Sequence, residues 1–440
     1  MPVLSAGPRA SEASWYLLAA LVLATSVPLL GPRFMLPWGG GFAVALLWTT
    51  SRLAGLAMKR VGLPDLLGNL FVGILLKNAL PQSGGGSGSS SIPGLSDQWA
   101  STITNFGLTL IFLRAGLQMD MQAVQAGGRG GAALRLAFLP GISEALVVSG
   151  VARSALGLPF LLALSTGFVL AAVSPAVVVS SMSDLHALGY GVAEGIPSLV
   201  IAAAMFDGIV AISGFSLFIG VALDSGAPLW LQCIQGPTTI AAGVVVGLLG
   251  ARFAAETALW DTPLKRTAVV LGLGCLSTFL AAHLQTHWTP RGARPISTGA
   301  GAVATLVMVA RAKSLWRRPG GNGNGNGNGN LGLRGAAIEP NANITWLWAQ
   351  LGQPLLFSVV GSTVDLRWVD ATTAPRALLV ILAGVSVRLV VAVLVTGGGD
   401  FSPGERCLMA AAWGSKATVQ AALCTIPLAM VKGTFDKEVG

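Results

Sequence analysis

The sequence predicts an all-α, polytopic membrane protein. Three observations carry that prediction. Only 10% of the 440 residues are charged and 53% are hydrophobic, whereas a typical soluble domain is about 25% charged. Apolar runs of about 20 residues recur along the whole chain, each long enough to cross a bilayer as a helix. The Lys and Arg residues behind the formal net charge of +9 stand mainly in short loops between those runs. That is the distribution of cytoplasmic loops in a membrane protein, and nucleic acid is not indicated.

Dividing the chain at charges and at Gly/Pro clusters gives about thirteen segments, near 15–31, 36–57, 63–80, 98–117, 131–153, 158–182, 195–221, 228–252, 264–285, 297–312, 344–363, 374–397 and 404–430. The polar stretch Met1 to Ser14 precedes the first of them. No small-residue cleavage site clearly follows that run, so it reads as a helix and not as a secretory leader. Two low-complexity stretches, Ser83 to Ser91 and the Gly-Asn repeat from Gly320 to Asn330, bury no apolar area and read as linkers. With the N-terminus cytoplasmic, Lys59, Arg60, Arg129, Lys265, Arg266, Arg311 and Lys313 all fall on the cytoplasmic side.

The remaining markers are bland. Cys233, Cys275, Cys407 and Cys424 have no CxxC spacing and read as apolar packing. His186, His283 and His287 lie at predicted helix ends without ligand geometry, so no metal and no cofactor is expected. Asn343-Ile344-Thr345 reads as a chance sequon. Gly243-Val-Val-Val-Gly247 has the small-residue spacing of close helix packing. Nothing in the chain has the form of a nucleophile motif or a phosphate loop, and an enzyme is not expected.

Ionisable groups within apolar segments carry more information, because a charge in hydrocarbon costs several kcal/mol unless it is paired or faces water. Glu144 and Arg388 lie equally deep in different segments, and their opposite charges predict a pair. That pair is read equally as structural or as a contact that opens during transport. Asp207 has small residues before it and Gly208 after it. A carboxylate in such space holds a dehydrated cation or a proton but not both cheaply, and that competition is the basis of exchange. In Ser174-Pro175 a proline sits mid-segment, where it removes a backbone hydrogen bond and predicts a broken helix. Gly414 and Lys416 stand in the corresponding place near the other end, where a cation neutralises the negative C-terminal ends of half-helices. Interrupted segments in matching positions of two halves point to a transporter site.

At these residues the chain resembles the monovalent cation/proton antiporter superfamily, in its sodium/proton antiporter branch of sodium/hydrogen exchanger-like domain proteins. The likeness runs from about Gly41 to the C-terminus. Its carriers are Leu63-Pro with Leu67-Gly and Gly73, Leu113-Arg-Ala-Gly-Leu, Ala172-Val-Ser-Pro-Ala-Val-Val-Val, Phe206-Asp-Gly-Ile-Val-Ala-Ile-Ser-Gly-Phe, Gln353-Pro-Leu-Leu-Phe and Lys416-Ala-Thr-Val-Gln-Ala-Ala. The resemblance implies two inverted repeats, a moving core with two crossing discontinuous helices, and a dimerisation scaffold. On this chain it implies an N-terminal tail at 1–14, scaffold helices at 15–130, a first core part at 131–222, a linker helix at 223–255, scaffold helices at 256–373 and a second core part at 374–440.

The same resemblance implies Na+ or Li+ exchanged for H+ by a multi-pass homodimer in a lipid bilayer. Asp207 and Ser174 then bind the ion, Glu144 and Arg388 form the core ion pair, and Pro175, Lys416 and Thr418 support the crossing. The chain departs from the pattern in two places. Gly208 stands where the branch carries a second carboxylate, and the chain ends one core helix before the family pattern does. Antiport with Asp207 as the remaining site carboxylate is the first reading. A transport-deficient paralogue is the second, and a channel or organic-anion carrier on the same scaffold is the third.

Overall fold

The computed structural model describes residues 39–80, 92, 94–118, 130–192, 194–222, 229–255, 262–287, 298–316, 341–368, 370–397, 401–416 and 419–420. In chain order the helices are α1 (Gly40–Arg60), α2 (Asp65–Ala79), α3 (Asp97–Gln118), α4 (Gly130–Leu156), α5 (Phe160–Ala171), α6 (Pro175–Ala187) and α7 (Ile196–Ala222). There follow α8 (Leu229–Ala254), α9 (Pro263–His287), α10 (Thr298–Trp316), α11 (Asn341–Leu347), α12 (Gln353–Ser362), α13 (Thr373–Val395) and α14 (Pro403–Trp413). No strand occurs among the described residues. Seven of these helices are long and apolar enough to cross a membrane. The expected segment at 15–31 and both low-complexity stretches, 83–91 and 320–330, lie outside the described residues.

Two predicted segments are not continuous helices. The 158–182 segment is two half-helices, α5 and α6, joined by the extended residues Ala172 to Ser174. Pro175 is the first residue of α6, where its missing N–H costs nothing, and it restricts Ser174 to the extended region in which it is found (φ −82°, ψ 108°). The 404–430 segment is helical to Trp413, leaves the helix at Gly414 to Lys416, and is helical again at Val419 and Gln420. A third irregularity has no counterpart in the sequence reading: a π-helical turn, Trp348–Gly352, separates α11 from α12. Pro354 has no N–H to give the preceding turn, which widens there.

The chain divides into two compact units. One comprises Met1–Thr104 and Gln353–Leu366, the other Asn105–Gly352 and Arg367–Gly440. In the first, α2 and α12 meet at reciprocal glycines. A Cβ at Gly73 would fall 2.0 Å from the Ser358 carbonyl oxygen, and one at Gly361 would fall 2.2 Å from that of Leu70. Small residues bring membrane helices into backbone contact, which is their main source of association without a hydrophobic drive. Gly361→Val is therefore expected to cost about 1–3 kcal/mol or more, read as a lower thermal midpoint in detergent. A core of Ala43, Leu47, Ile92, Leu95, Ile103 and Val359 fills this unit. Asn78 secures the chain after α12 by donating to the Val364 carbonyl (3.0 Å) and accepting from the Leu366 amide (2.9 Å).

The second unit holds all the polar groups singled out above. The predicted close packing at Gly243 and Gly247 is present: Cβ atoms there would lie 2.7 Å from the carbonyls of Ala300 and Ala304 on α10. Gly167 of α5 packs equally tightly against Ala145 of α4, 2.2 Å from its carbonyl oxygen. The Asn343 side-chain amide donates to Thr267 (3.0 Å). Cys275 is half-buried and Cys407 is exposed on α14, so Cys407 is not the core-packing residue that its apolar neighbours suggested. Ahead of α13, Asp370 accepts hydrogen bonds from the hydroxyls and amides of Thr372 and Thr373, which hold its carboxyl below the usual range.

Candidate functional site

Breaking a helix in an apolar interior leaves carbonyls at one end and amides at the other without partners. The gap between α5 and α6 is satisfied residue by residue, and the partners are the groups of interest. The Leu170 carbonyl accepts from Lys416 Nζ, that of Ala171 from Arg388 Nη1, and that of Ala172 from Gln420 Nε2. The Val173 amide donates to Asp207 Oδ2 at 2.9 Å. The Ser174 amide donates to the Ser415 carbonyl at 3.0 Å, so the two chain breaks are hydrogen-bonded to each other.

The four ionised side chains form one cluster. Arg388 is completely buried on α13, and it bridges both carboxylates. Its Nη1 lies 2.5 Å from Glu144 Oε2 and its Nη2 lies 2.7 Å from Asp207 Oδ1. Lys416 reaches Glu144 from the other side, 2.8 Å from Oε1 and 3.0 Å from Oε2. Glu144 and Asp207 are each about 1% exposed, while Lys416 keeps 13% of its side chain exposed. Two carboxylates and two cations are formally neutral, which is the condition for burying them together. Both cations also sit at the C-terminal end of α5, where the helix dipole is negative.

The sequence reading pairs Arg388 with Glu144, and the structure brings them into contact. It adds what the sequence did not carry, namely that Arg388 holds Asp207 as well and that Lys416 pairs with Glu144. Ser174 is buried in the gap, one residue from the amide that binds Asp207. Gly208 is buried, and a Cβ built on it meets nothing within 4 Å. Thr418 lies outside the described residues.

Two positions were missed. Gln420 stands four residues after Lys416 in the sequence, and a second polar side chain so close to the predicted interruption was the available signal. Gly141 follows Pro140 within α4. A Pro-Gly pair inside an apolar segment was the available signal, and although α4 runs on through it, the missing side chain leaves room for Asp207: a Cβ at Gly141 would lie 2.7 Å from Oδ1.

The chain has relatives among known proteins. A family model described as sodium/hydrogen exchanger, transmembrane, matches residues 44–287, which include Glu144, Ser174 and Asp207. Sodium/hydrogen exchanger 9B2 of Homo sapiens is 30% identical over 419 residues, covering 92% of this chain and 70% of that protein. Sodium/hydrogen exchanger 9B1 of Homo sapiens is 30% identical over 413 residues, covering 89% and 70%. Among solved structures, the sodium proton antiporter MjNhaP1 from Methanocaldococcus jannaschii at pH 8 superposes with a TM-score of 0.66. At 19% identity over 89% of this chain and 86% of that one, the likeness is one of fold.

Proposed function

Because this chain belongs to the sodium/hydrogen exchanger family, we propose that it is an integral, multi-pass secondary-active antiporter that exchanges Na+ or Li+ for H+ by alternating access. The observation that carries the reading is Asp207, a buried carboxylate at the gap of a broken helix, bound to one backbone amide and to an arginine that it shares with Glu144. In that place it takes either a proton or a dehydrated cation. A cation that enters must compete with Arg388 Nη2 for Oδ1, so the guanidinium holds the ion-free state together and Glu144 keeps the arginine partnered when Asp207 is otherwise engaged.

Glu144 is held by two cations, which leaves Asp207 as the carboxylate that exchanges. One proton is then released for one cation bound, and exchange is electroneutral. The experiment is proton flux driven by a Na+ gradient in proteoliposomes with and without an imposed membrane potential. Flux that accelerates with the potential, or the absence of flux, overturns the reading. Gly208→Asp is expected to fit without a steric clash, because the space at position 208 is open. It is expected to make exchange sensitive to the potential by adding a second titrating carboxylate. Flux in that variant alone would favour the transport-deficient reading of the native chain.

The resemblance also supports a homodimer as the working unit. Native mass spectrometry from detergent checks it, with twice the protomer mass as the expected result.

A further inference from the structure

We infer that Gly141 is a positioning residue for Asp207: the absence of its side chain forms the slot in which Oδ1 sits, and that slot sets the affinity for the transported cation. The second half of the statement rests on the antiport reading above, and the first half does not.

The geometry is specific. A Cβ on Gly141 would lie 2.7 Å from Asp207 Oδ1, 3.7 Å from its Cγ and 4.0 Å from the Ala171 carbonyl oxygen. Real Cβ contacts below 3.0 Å essentially do not occur, so something must move. The obvious candidate, the carboxylate, is poorly free to yield. It is the end of a short side chain, with Oδ2 held by the Val173 amide at 2.9 Å and Oδ1 held by Arg388 at 2.7 Å. Arg388 in turn is tied to Glu144 and to the Ala171 carbonyl, so it follows Oδ1 only by giving up another contact. A methyl group at position 141 therefore separates Asp207 from Arg388 or from the Val173 amide.

The effect does not belong to glycine in this helix as such. Gly131 and Gly150 lie on the same α4, and a Cβ on either meets nothing within 4 Å. Most of the tight glycines face a backbone carbonyl or an apolar side chain, which is ordinary helix packing. Among the described glycines, Gly141 is the one whose nearest neighbour would be an ionised oxygen of the site. Across the cluster, Gly384 of α13 does something similar on a lesser scale, since a Cβ there would lie 3.1 Å from Glu144 Oε1 after first meeting Val148 at 2.5 Å.

The test compares Gly141→Ala with Gly150→Ala in the full chain. In proteoliposomes, Gly141→Ala is expected to change KM for Na+ on the order of tenfold, downward if the carboxylate is released from the competing Arg388 and upward if it leaves the Val173 amide, with a smaller change in turnover. Gly150→Ala is expected to leave both constants unchanged. In parallel, thermal unfolding in Na+-free detergent is measured for Gly141→Ala in the native and Asp207→Ala backgrounds. A midpoint loss in the native background that vanishes when Asp207 is truncated supports the steric link. An unchanged KM in Gly141→Ala overturns the role in ion affinity. Equal midpoint losses in the two backgrounds overturn the contact itself. If the native chain carries no Na+-driven flux, the antiport reading fails, and the thermal comparison still decides whether Gly141 positions Asp207.

Discussion

Arg388→Ala is expected to prevent the protein from accumulating in folded form. The guanidinium is fully buried and donates to Glu144, Asp207 and the Ala171 carbonyl. Truncation leaves a buried carboxylate without its cation and a helix-end carbonyl without its donor, and among the described residues Lys416 remains the only nearby cation for both acids. Removing one partner of a buried ion pair costs about 3–5 kcal/mol, and here a single side chain serves two acids. Size-exclusion profiles and thermal midpoints in detergent measure the effect, and a monodisperse variant with the native midpoint would contradict this account. Arg388→Lys keeps the charge but offers a point donor in place of a fork, so it is expected to recover only part of the loss. Arg388→Ala combined with Asp207→Asn should be more stable than Arg388→Ala alone, because the remaining Glu144 and Lys416 are again neutral together.

Asp207→Asn is the sharper functional test, since it keeps the shape of the side chain while removing its charge. The side-chain amide oxygen can still accept from the Val173 amide, which keeps the gap between α5 and α6 closed, while its NH2 meets Arg388 donor to donor. The variant is expected to fold with a lower thermal midpoint, Arg388 still being held by Glu144. Sodium-driven proton flux should fall to the level of protein-free liposomes, because a neutral amide neither binds a proton in exchange nor compensates a dehydrated cation. Native flux retained in this variant would move the site elsewhere in the cluster, with Glu144 next in line. In the native chain, protons and Na+ compete for one carboxylate. KM for Na+ should accordingly rise as pH falls, and Asp207→Asn should abolish that dependence along with the flux.

Much of the site is legible in the sequence. Pro175 in the middle of an apolar segment marks the gap after α5, because proline is disfavoured in a helix interior and accepted at the first position of a new helix. Glu144, Asp207, Arg388 and Lys416 stand out because a charge among apolar residues needs a partner. Their arrangement was less legible. The contacts of Arg388 span 244 residues to Glu144 and 181 to Asp207, and nothing local says that one guanidinium serves both. Lys416 was read as neutralising helix ends, and it does donate to the Leu170 carbonyl, yet it also pairs with Glu144. The π-helical turn before Gln353 and the exposure of Cys407 were equally beyond reach, since both depend on how neighbouring turns pack.

By itself the sequence determined the class of the protein, the interruption of its helices and the presence of ionisable groups that must find partners in an apolar interior. Those are local properties, set by hydropathy, by proline and by the cost of an unpaired charge. Only the tertiary structure decided that Arg388 is shared between two acids, that Asp207 closes the Val173 amide, that Gly141 vacates the space its carboxylate needs and that the space at Gly208 stands open. Each of these is a distance of a few ångströms between side chains on different helices. Such distances follow from how closely the helices pack, which no single segment encodes.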